Sequence, residues 1–212
     1  MRADARRNRQ LLLEAAAAEF AEHGMEVSIA RIAARAGVGK GTVFRHFATK
    51  EQLIIAIFGG QLDRLAAKGA ELLSCADSEQ ALLVFMSDAI NLQIADRAFC
   101  QAVTAELRRD PQLRAAGDRL AMAAGALIAR AQADGVVRDD ITGHDVVLLI
   151  NAVAQATTPL GDTIPGLWQR YLSLVLDGLR PQAARPLPVP APGFLAPPAS
   201  DTGNDGPVHV AR

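Results

Sequence analysis

Apolar residues recur at intervals of three and four positions along most of the chain, which is the spacing of one face of an α-helix. The pattern predicts helices over residues 51–67, 96–108, 143–156 and 165–178, and two more that begin near residues 77 and 110. No stretch alternates between apolar and polar residues with comparable strength, so no strand is predicted. Because alanine and leucine are abundant and β-branched runs are few, composition also favours helix. The sequence therefore predicts an all-α fold built around a helical bundle.

Several of these helices carry recognisable ends. Asp110 followed by Pro111 indicates a helix start, because aspartate caps a free backbone N–H and proline fits the first turn. Gly135 is the expected end of that helix. Thr142 is expected to cap the next helix, and Pro165 is expected to open the last one.

A shorter helical pattern near the N-terminus is interrupted by a glycine. Ser28 is suited to cap a helix, and apolar residues then follow at helical spacing up to Ala36. Gly37 is suited to end it, because glycine adopts left-handed backbone angles without steric cost. A second short helix is predicted over residues 40–47. Two short helices joined by such a turn form a helix-turn-helix, whose second helix enters the major groove of DNA.

The residues around this turn suit contact with DNA. Cationic and short polar side chains can reach phosphates or base edges, and glycine permits a close approach of the backbone. The candidate DNA-binding residues are Ser28, Arg31, Lys40, Gly41, Thr42, Phe44, Arg45, His46 and Lys50, and Arg35 is a further cation that can face phosphates. A nucleotide P-loop is a weaker interpretation, because Ala34 stands where its first glycine is required. A purely structural helical hairpin is also weaker, because it would not require so many cations.

Charge is unevenly distributed, although the net formal charge is only −1. Residues 1–50 hold nine basic and five acidic residues, a net +4, whereas residues 51–180 hold eleven basic and sixteen acidic residues, a net −5. A basic head on an acidic body indicates one domain that meets phosphate and one that does not. The arginines at positions 2, 6, 7 and 9 are expected to form a flexible arm that touches DNA, or else a solvated tail.

Residues 10–58 resemble the N-terminal domain of the TetR family of bacterial transcriptional regulators. The matching motifs are Ala15-Ala16, Phe20-Ala21-Glu22 with Gly24, Ile32-Ala33, Ala36-Gly37-Val38, Gly41-Thr42, His46-Phe47 and Lys50-Glu51 with Leu53. The resemblance implies that residues 40–47 form the recognition helix, and that Thr42, Phe44, His46 and Lys50 lie at or near the DNA backbone. The family usually has serine where this chain has Gly39, and often tyrosine at position 44, so two hydroxyl groups that could contact phosphate are missing. The body is similar to the SbtR-like group.

The helix predicted over residues 143–156 is apolar on nearly all sides, and the helix over 165–178 has a broad apolar face. A helix that is apolar all round is buried all round. These two helices are therefore expected to pack against the same two helices of a second subunit, and the resemblance implies the same arrangement. Such a homodimer would place two recognition helices on the half-sites of an inverted-repeat operator in double-stranded DNA. A monomer with a buried central helix is the alternative.

The body is also expected to bind an unknown small-molecule effector, because members of the family commonly release DNA in response to one. The candidate ligand-binding residues are Phe85, Met86, Ile90, Phe99, Val103, Met122, Asn151 and Gln155. The apolar members of this set could equally be plain core. Asn151 and Gln155 lie one turn apart on an apolar helix, and a buried amide needs a partner. Either a ligand or the dimer interface could supply that partner.

The remaining features limit the class of protein. The chain has no run of about 18 apolar residues and no signal-peptide core, so a cytoplasmic protein without membrane contact is expected. Cys75 and Cys100 are too few for a disulfide framework, the histidines show no metal-ligand spacing, and no cofactor or metal is predicted. Eight of the eleven prolines fall in residues 181–212, so this segment is expected to be a disordered tail.

The chain is thus predicted to contain three parts. These are a three-helix helix-turn-helix DNA-binding domain over residues 1–55, a helical ligand-binding and dimerisation domain over 56–180, and the tail. The predicted function is that of a dimeric repressor that a small molecule releases from its operator. A ligand-independent activator or an architectural DNA-binding protein is the alternative. A helical enzyme is more remote, since no catalytic motif is visible.

Overall fold

The computed structural model describes residues 2–95, Leu107 and residues 109–191, and it contains no strand among them. The all-α prediction is confirmed. The helices are α1 (Arg2–His23), α2 (Ile29–Arg35), α3 (Lys40–His46), α4 (Lys50–Leu72), α5 (Ser78–Ala95), α6 (Pro111–Ala133), α7 (Gly143–Thr157) and α8 (Leu167–Gly178). The helix predicted over residues 96–108 lies almost entirely outside the described residues. Of the helices that the structure describes, none is long and apolar enough to cross a membrane.

Local capping signals place most of the helix starts correctly. Asp110 caps α6 as predicted, since its Oδ1 accepts a hydrogen bond from the backbone N–H of Gln112 at 2.8 Å. The last helix is the exception, because α8 begins at Leu167 and not at Pro165. Gly166, between them, has a φ of 78°, and this left-handed conformation cannot be part of a right-handed helix. Pro165 therefore precedes the helix instead of opening it.

Two apolar cores are built on one shared helix. The N-terminal core packs α1, α2 and α3 together around Phe20, Ile32 and Val43, and it includes the first two turns of α4. The C-terminal core packs α5 to α8 against the second half of α4, through Leu65. We call residues 2–57 the head and residues 61–191 the body. The boundary predicted at residue 55 falls inside α4, so this helix belongs to both parts.

The head and the body also meet at a second place. Leu113, in the first turn of α6, is buried in the head core although α6 is otherwise a body helix. Burying a leucine side chain is worth about 1.5–3 kcal/mol. The start of α6 is therefore held against the head by an apolar contact, and not only by its connection along the chain.

The start of the predicted tail is held on the body. Residues Pro181–Ala183 form a short 3-10 helix. The Arg138 guanidinium donates to the backbone carbonyl of Arg185 at 2.6 Å and to the Asp140 carboxylate at 2.8 Å, and the second of these bonds lowers the pKa of Asp140. The disorder predicted from residue 181 therefore does not describe the first residues of this segment. Residues 192–212 lie outside the described residues.

Candidate nucleic-acid interface

A short turn that the sequence encodes locally joins α2 to α3. Ser28 Oγ accepts from the backbone N–H of Arg31 at 3.3 Å and so caps α2. Gly37 has a φ of 68°, a conformation that residues with a side chain rarely adopt. The backbone N–H of Val38 then donates to the carbonyl of Ala33 at 3.0 Å, which closes the end of the helix. These contacts carry the chain from α2 into α3 within four residues.

The helix α3 has one buried side and one exposed side. Val43 is fully buried, and Phe47, which directly follows the helix, is 4% exposed, so both side chains seat α3 on the head core. Lys40, Phe44 and Arg45 are exposed, and Phe44 has 52% of its surface accessible. Two cations beside one large apolar ring suit phosphate oxygens and a thymine methyl group. This exposed side of α3 is the candidate DNA-reading face.

The other predicted residues of α3 lie on or beside this face. Gly41 is exposed, and Thr42 and His46 are half-buried. The Arg45 guanidinium lies along its own helix, where it donates to the carbonyl of Gly41 and to Thr42 Oγ1, both at 3.3 Å. These bonds are longer than typical N–H···O hydrogen bonds. Arg45 can therefore exchange them for contacts with DNA at little cost.

The two arginines of α2 are instead held by carboxylates of α1. Arg31 Nε lies 2.6 Å from Glu19 Oε2, and Arg35 lies 3.2 Å from Glu19 Oε1 and 2.6 Å from Glu22 Oε1. The Glu19 side chain is only 6% exposed. Charge-assisted hydrogen bonds of this length are among the stronger polar contacts in proteins. The Arg31 guanidinium is thus engaged in holding α2 against α1, and its contact with DNA stays a prediction.

These ion pairs also set the ionisation of the carboxyl groups. Burial raises the pKa of Glu19, but hydrogen bonds from Arg35 and Arg31 outweigh it, and the pKa lies below its ordinary value of 4.5. The hydrogen bond from Arg35 lowers the pKa of Glu22. His23 Nε2 lies 2.7 Å from an Arg31 nitrogen, and because arginine can only donate, this ring nitrogen is the acceptor. The His23 proton is therefore assigned to Nδ1, which lies 3.3 Å from Glu19 Oε2.

Glu19, Glu22 and His23 also have ligand atoms within 4.8 Å of one another, a spacing that a metal ion could use. Both carboxylates already bind guanidinium groups, however, and a metal cation at this place would be repelled by Arg31 and Arg35. The cluster is therefore an ion-pair network that joins α1 to α2.

Lys50 has a partner inside the head. Its ammonium donates to the backbone carbonyl of Met25 and lies 5.8 Å from the centre of the Phe20 ring. These contacts tie the start of α4 to α1 and to the segment that precedes α2. The contact between Lys50 and a phosphate stays a prediction, and it would require the ammonium to leave Met25.

The arginines before residue 10 do not form an arm, because α1 begins at Arg2. Arginine is a good helix former, so the first helix continues through this segment. The Arg9 guanidinium carbon lies 5.2 Å from the centre of the Phe47 ring, which is within the range of a cation–π contact. The prediction of a flexible arm is therefore wrong for the residues that the structure describes.

Known proteins share this sequence and architecture. Residues 12–57 match the family model of bacterial regulatory proteins of the tetR family, and residues 77–181 match the C-terminal domain of SbtR-like transcriptional regulators. The crystal structure of a TetR transcription regulatory protein from Mycobacterium vanbaalenii is 33% identical, covers 84% of this chain and 98% of that chain, and has a TM-score of 0.63. The chain belongs to the TetR family. The predicted family and its SbtR-like body are confirmed.

One sequence relative of this TetR-family regulator and one further solved structure are informative. An HTH-type transcriptional regulator of Staphylococcus aureus (strain USA300) is 44% identical over 64 residues, which are 30% of this chain and 35% of that protein. The chain thus spans about a third of the length of this curated relative. The regulator FadR from Bacillus subtilis, solved in complex with stearoyl-CoA, is 18% identical and covers 83% of this chain and 99% of that chain with a TM-score of 0.63. This last likeness concerns the fold alone.

The apolar residues predicted to bind an effector fall into different environments. Phe85, Met86 and Ile90 of α5 are fully buried in the body core. Met122 lies on the outside of α6 with 74% of its surface exposed, so the prediction that it lines an interior pocket is wrong. Met122 is flanked by alanines, so the sequence pattern does not show which side of α6 is polar and which is buried. Phe99 and Val103 lie outside the described residues.

The two amides predicted to meet a ligand are found on α7. Asn151 is half-buried, and its Nδ2 donates to the carbonyl of Val147 in the same helix at 2.8 Å. Gln155 is exposed. The structure therefore brings these amides towards the surface of α7, and it satisfies one of them without a ligand.

Proposed function

We propose that this TetR-family regulator is a homodimeric, cytoplasmic repressor that binds an inverted-repeat operator and is released by a small molecule. The exposed face of α3 carries the DNA-binding part of the proposal. Lys40, Phe44 and Arg45 are exposed together on a helix that Val43 and Phe47 fix to the head core. A rigidly seated helix with exposed cations can position itself on phosphates while its other side chains reach base edges.

An exposed apolar surface on α7 and α8 supports the homodimer. Leu148 of α7 is 48% exposed, and Tyr171 and Leu174 of α8 are similarly exposed. Ala152 and Ala156 follow Leu148 at one-turn intervals on the exposed side of α7, and small residues allow another helix to approach closely. Large exposed apolar patches on soluble proteins commonly mark interaction sites. A second copy related by a two-fold axis would cover this surface with the same surface of its own.

The DNA-binding part is tested by selecting bound sequences from random duplexes and titrating the selected site over a series of salt concentrations. Lys40→Gln is expected to weaken binding and to reduce the slope of log affinity against log salt by about one, because one phosphate contact is lost. Lys68→Gln is the matched control, since Lys68 lies on α4 in the body beside Glu71. If no sequence is enriched, or if both variants weaken binding equally, α3 is not the reading face.

The dimer is tested by light scattering coupled to size exclusion at micromolar protein concentration. The wild type is expected to have twice the mass of one chain. Leu174→Glu is expected to be monomeric, because it places a charge in the middle of the proposed apolar interface. Leu73→Glu introduces the same charge at an exposed leucine that follows α4, and it should leave the dimer intact. A monomeric wild type would refute the homodimer.

The effector part is supported by fold alone, since FadR of Bacillus subtilis was solved with stearoyl-CoA at only 18% identity. A ligand that releases DNA must bind more tightly to the conformation that does not fit the operator. A promoter reporter in cells expressing the regulator tests the sign of its action. Repression predicts that expression of the regulator lowers reporter activity, whereas a rise would identify an activator.

A further inference from the structure

A groove with a volume of about 550 Å³ lies between α1, α4 and α6, where the head joins the body. Sites for small molecules typically have volumes of about 300–1,000 Å³. The groove lies apart from the buried α5 residues Phe85, Met86 and Ile90, none of which lines it. Its walls come from both parts of the molecule, since α1 belongs to the head and most of α6 to the body. A molecule bound here would therefore contact both.

Two consecutive glycines, Gly59 and Gly60, form part of the α4 wall of the groove. A Cβ atom on Gly59 would meet only Leu113 Cδ2 at 3.7 Å, and one on Gly60 only an Arg64 nitrogen at 3.9 Å, which are ordinary contact distances. Neither glycine has a positive φ. Alanine would fit at both positions and would favour the helix, since glycine inside a helix is destabilising relative to alanine. Packing in this structure therefore does not require either glycine.

Three arginines line the groove from three different helices: Arg9 from α1, Arg64 from α4 and Arg119 from α6. Arg119 is paired with Asp63 at 2.7 Å. Among the residues that the structure describes, neither Arg9 nor Arg64 has a carboxylate partner. Guanidinium groups bind carboxylates and phosphates through paired hydrogen bonds, so two of these three cations are available to an anion.

The rest of the lining is mixed: Gln10, Glu14, Gln61, Asp63 and Gln112 are polar or acidic, and the other residues are apolar or glycine. Leu13 and Ala17 of α1, Ala56 of α4, and Ala115 and Ala116 of α6 provide hydrocarbon surface beside the arginines. A ligand that matches both features carries a negative group at one end and a short hydrocarbon portion at the other.

We propose that this groove binds a small amphipathic anion, whose carboxylate or phosphate group is held by Arg64 and Arg9 and whose hydrocarbon part lies over the alanines and glycines. Because the ligand touches α1 and α6 together, its affinity depends on how the head sits on the body. It therefore favours one head position over others. The proposal of a binding site is argued from the groove alone, whereas the proposed effect of the ligand on DNA binding rests on the proposed regulatory function.

Calorimetric titration of the full chain with octanoate tests the site without DNA. Arg64→Gln is expected to weaken octanoate binding at least tenfold, and Gly60→Leu to abolish it by filling the groove. Arg114→Gln makes the same charge change on an exposed part of α6 outside the groove, and it should change the affinity less than twofold. Octanamide, which has the same chain without the charge, should bind at least tenfold more weakly. If Gly60→Leu does not fold, Arg64→Gln against Arg114→Gln decides alone.

Three results would overturn the site: no octanoate binding at millimolar concentration, equal weakening by Arg64→Gln and Arg114→Gln, or equal affinity for octanamide. A second titration measures the affinity for the selected DNA with and without octanoate, and at least a threefold change is expected in the wild type only. If octanoate binds through Arg64 but DNA affinity does not change, the regulatory link is refuted and the site stands. If the chain binds no DNA at all, the proposed function fails while the calorimetric result still decides the site.

Discussion

The helices α6 and α7 cross so closely at Gly143 that one methyl group cannot be added there. A Cβ atom on Gly143 would lie 2.5 Å from the backbone nitrogen of Gly125, 2.9 Å from its Cα, and closer still to the carbonyl oxygen of Ala121. Favourable contacts between carbon atoms occur at about 3.5–4.0 Å. All of these neighbours are backbone atoms, so no side chain can rotate away. Gly143→Ala therefore has to push the two helices apart by about 1 Å.

The loss of stability depends on the packing contacts that this separation weakens. Val146 and Ala124 beside the crossing are fully buried in the body core, and a gap of about 0.5–1 Å forfeits a quarter to a half of each dispersion contact across it. Overpacked sites at which side chains can adjust cost about 1–3 kcal/mol, and a site bounded by backbone belongs at the upper end. We expect Gly143→Ala to lower the free energy of unfolding by about 3 kcal/mol.

Urea denaturation measures this loss through the fluorescence of Trp168, the single tryptophan, which packs against the body core from α8. Wild type and variants must be compared at one protein concentration, because dimerisation makes apparent stability depend on concentration. Gly59→Ala is the matched control, since its new methyl group meets Leu113 at an ordinary distance, and it should raise stability by about 0.5–1 kcal/mol. If Gly143→Ala lies within about 0.5 kcal/mol of the wild type, the close crossing is refuted.

Three further predictions concern the head. Gly39→Ser should raise stability by about 0.5–1 kcal/mol, because Gly39 caps α3 without a side chain and has open space around its Cα; a loss in denaturation would contradict that geometry. Arg35 lowers the pKa of Glu22, so the stability this pair contributes is complete above the ordinary pKa of 4.5 and is lost as pH falls through the lower folded value. Glu22→Gln should therefore lose less stability than the wild type between about pH 5 and pH 2, and equal losses in acid titrations of unfolding would count against the pair. Lys50→Met should lower the melting temperature by removing the bond to Met25, and it should also reduce the salt slope of DNA binding by about one if the ammonium moves to a phosphate, whereas an unchanged slope would refute the phosphate contact.

Features encoded within about four residues could be predicted from the sequence. Ser28 and Asp110 cap α2 and α6 as their positions indicate, and Thr49 Oγ1 accepts from the backbone N–H of Gln52 at 3.2 Å to cap α4. Gly37 has the left-handed conformation that its place after an apolar run requires. Each of these interactions joins neighbours along the chain, so residue order is sufficient to predict it.

Features that depend on a second helix could not be predicted in the same way. A cation on a short helix beside a DNA-reading turn has the same sequence signature whether it meets phosphate or a carboxylate. The partner that engages Arg31 is Glu19, twelve positions earlier on α1, and in the sequence Glu19 is one of several acidic residues on a helix. The exposure of Met122 cannot be predicted from the sequence for a related reason, because its flanking alanines are compatible with either side of α6. In both cases tertiary packing decides the outcome.

The position of α3 is set by a chain of contacts that reaches into the body. Val43 seats α3 in a core that also contains Ile54 of α4 and Leu113 of α6, so the head cannot turn on the body without moving one of these helices or exposing an apolar side chain. Exposing one such side chain costs about 1.5–3 kcal/mol, which is comparable to typical coupling energies between distant sites in allosteric proteins. A rearrangement of the body that displaces the start of α6 would therefore change the position of α3. The helix α4 has glycines at positions 59 and 60, between its head and body segments, and it can therefore bend there when the head moves. The contact between Leu113 and the head core would instead have to shift or break.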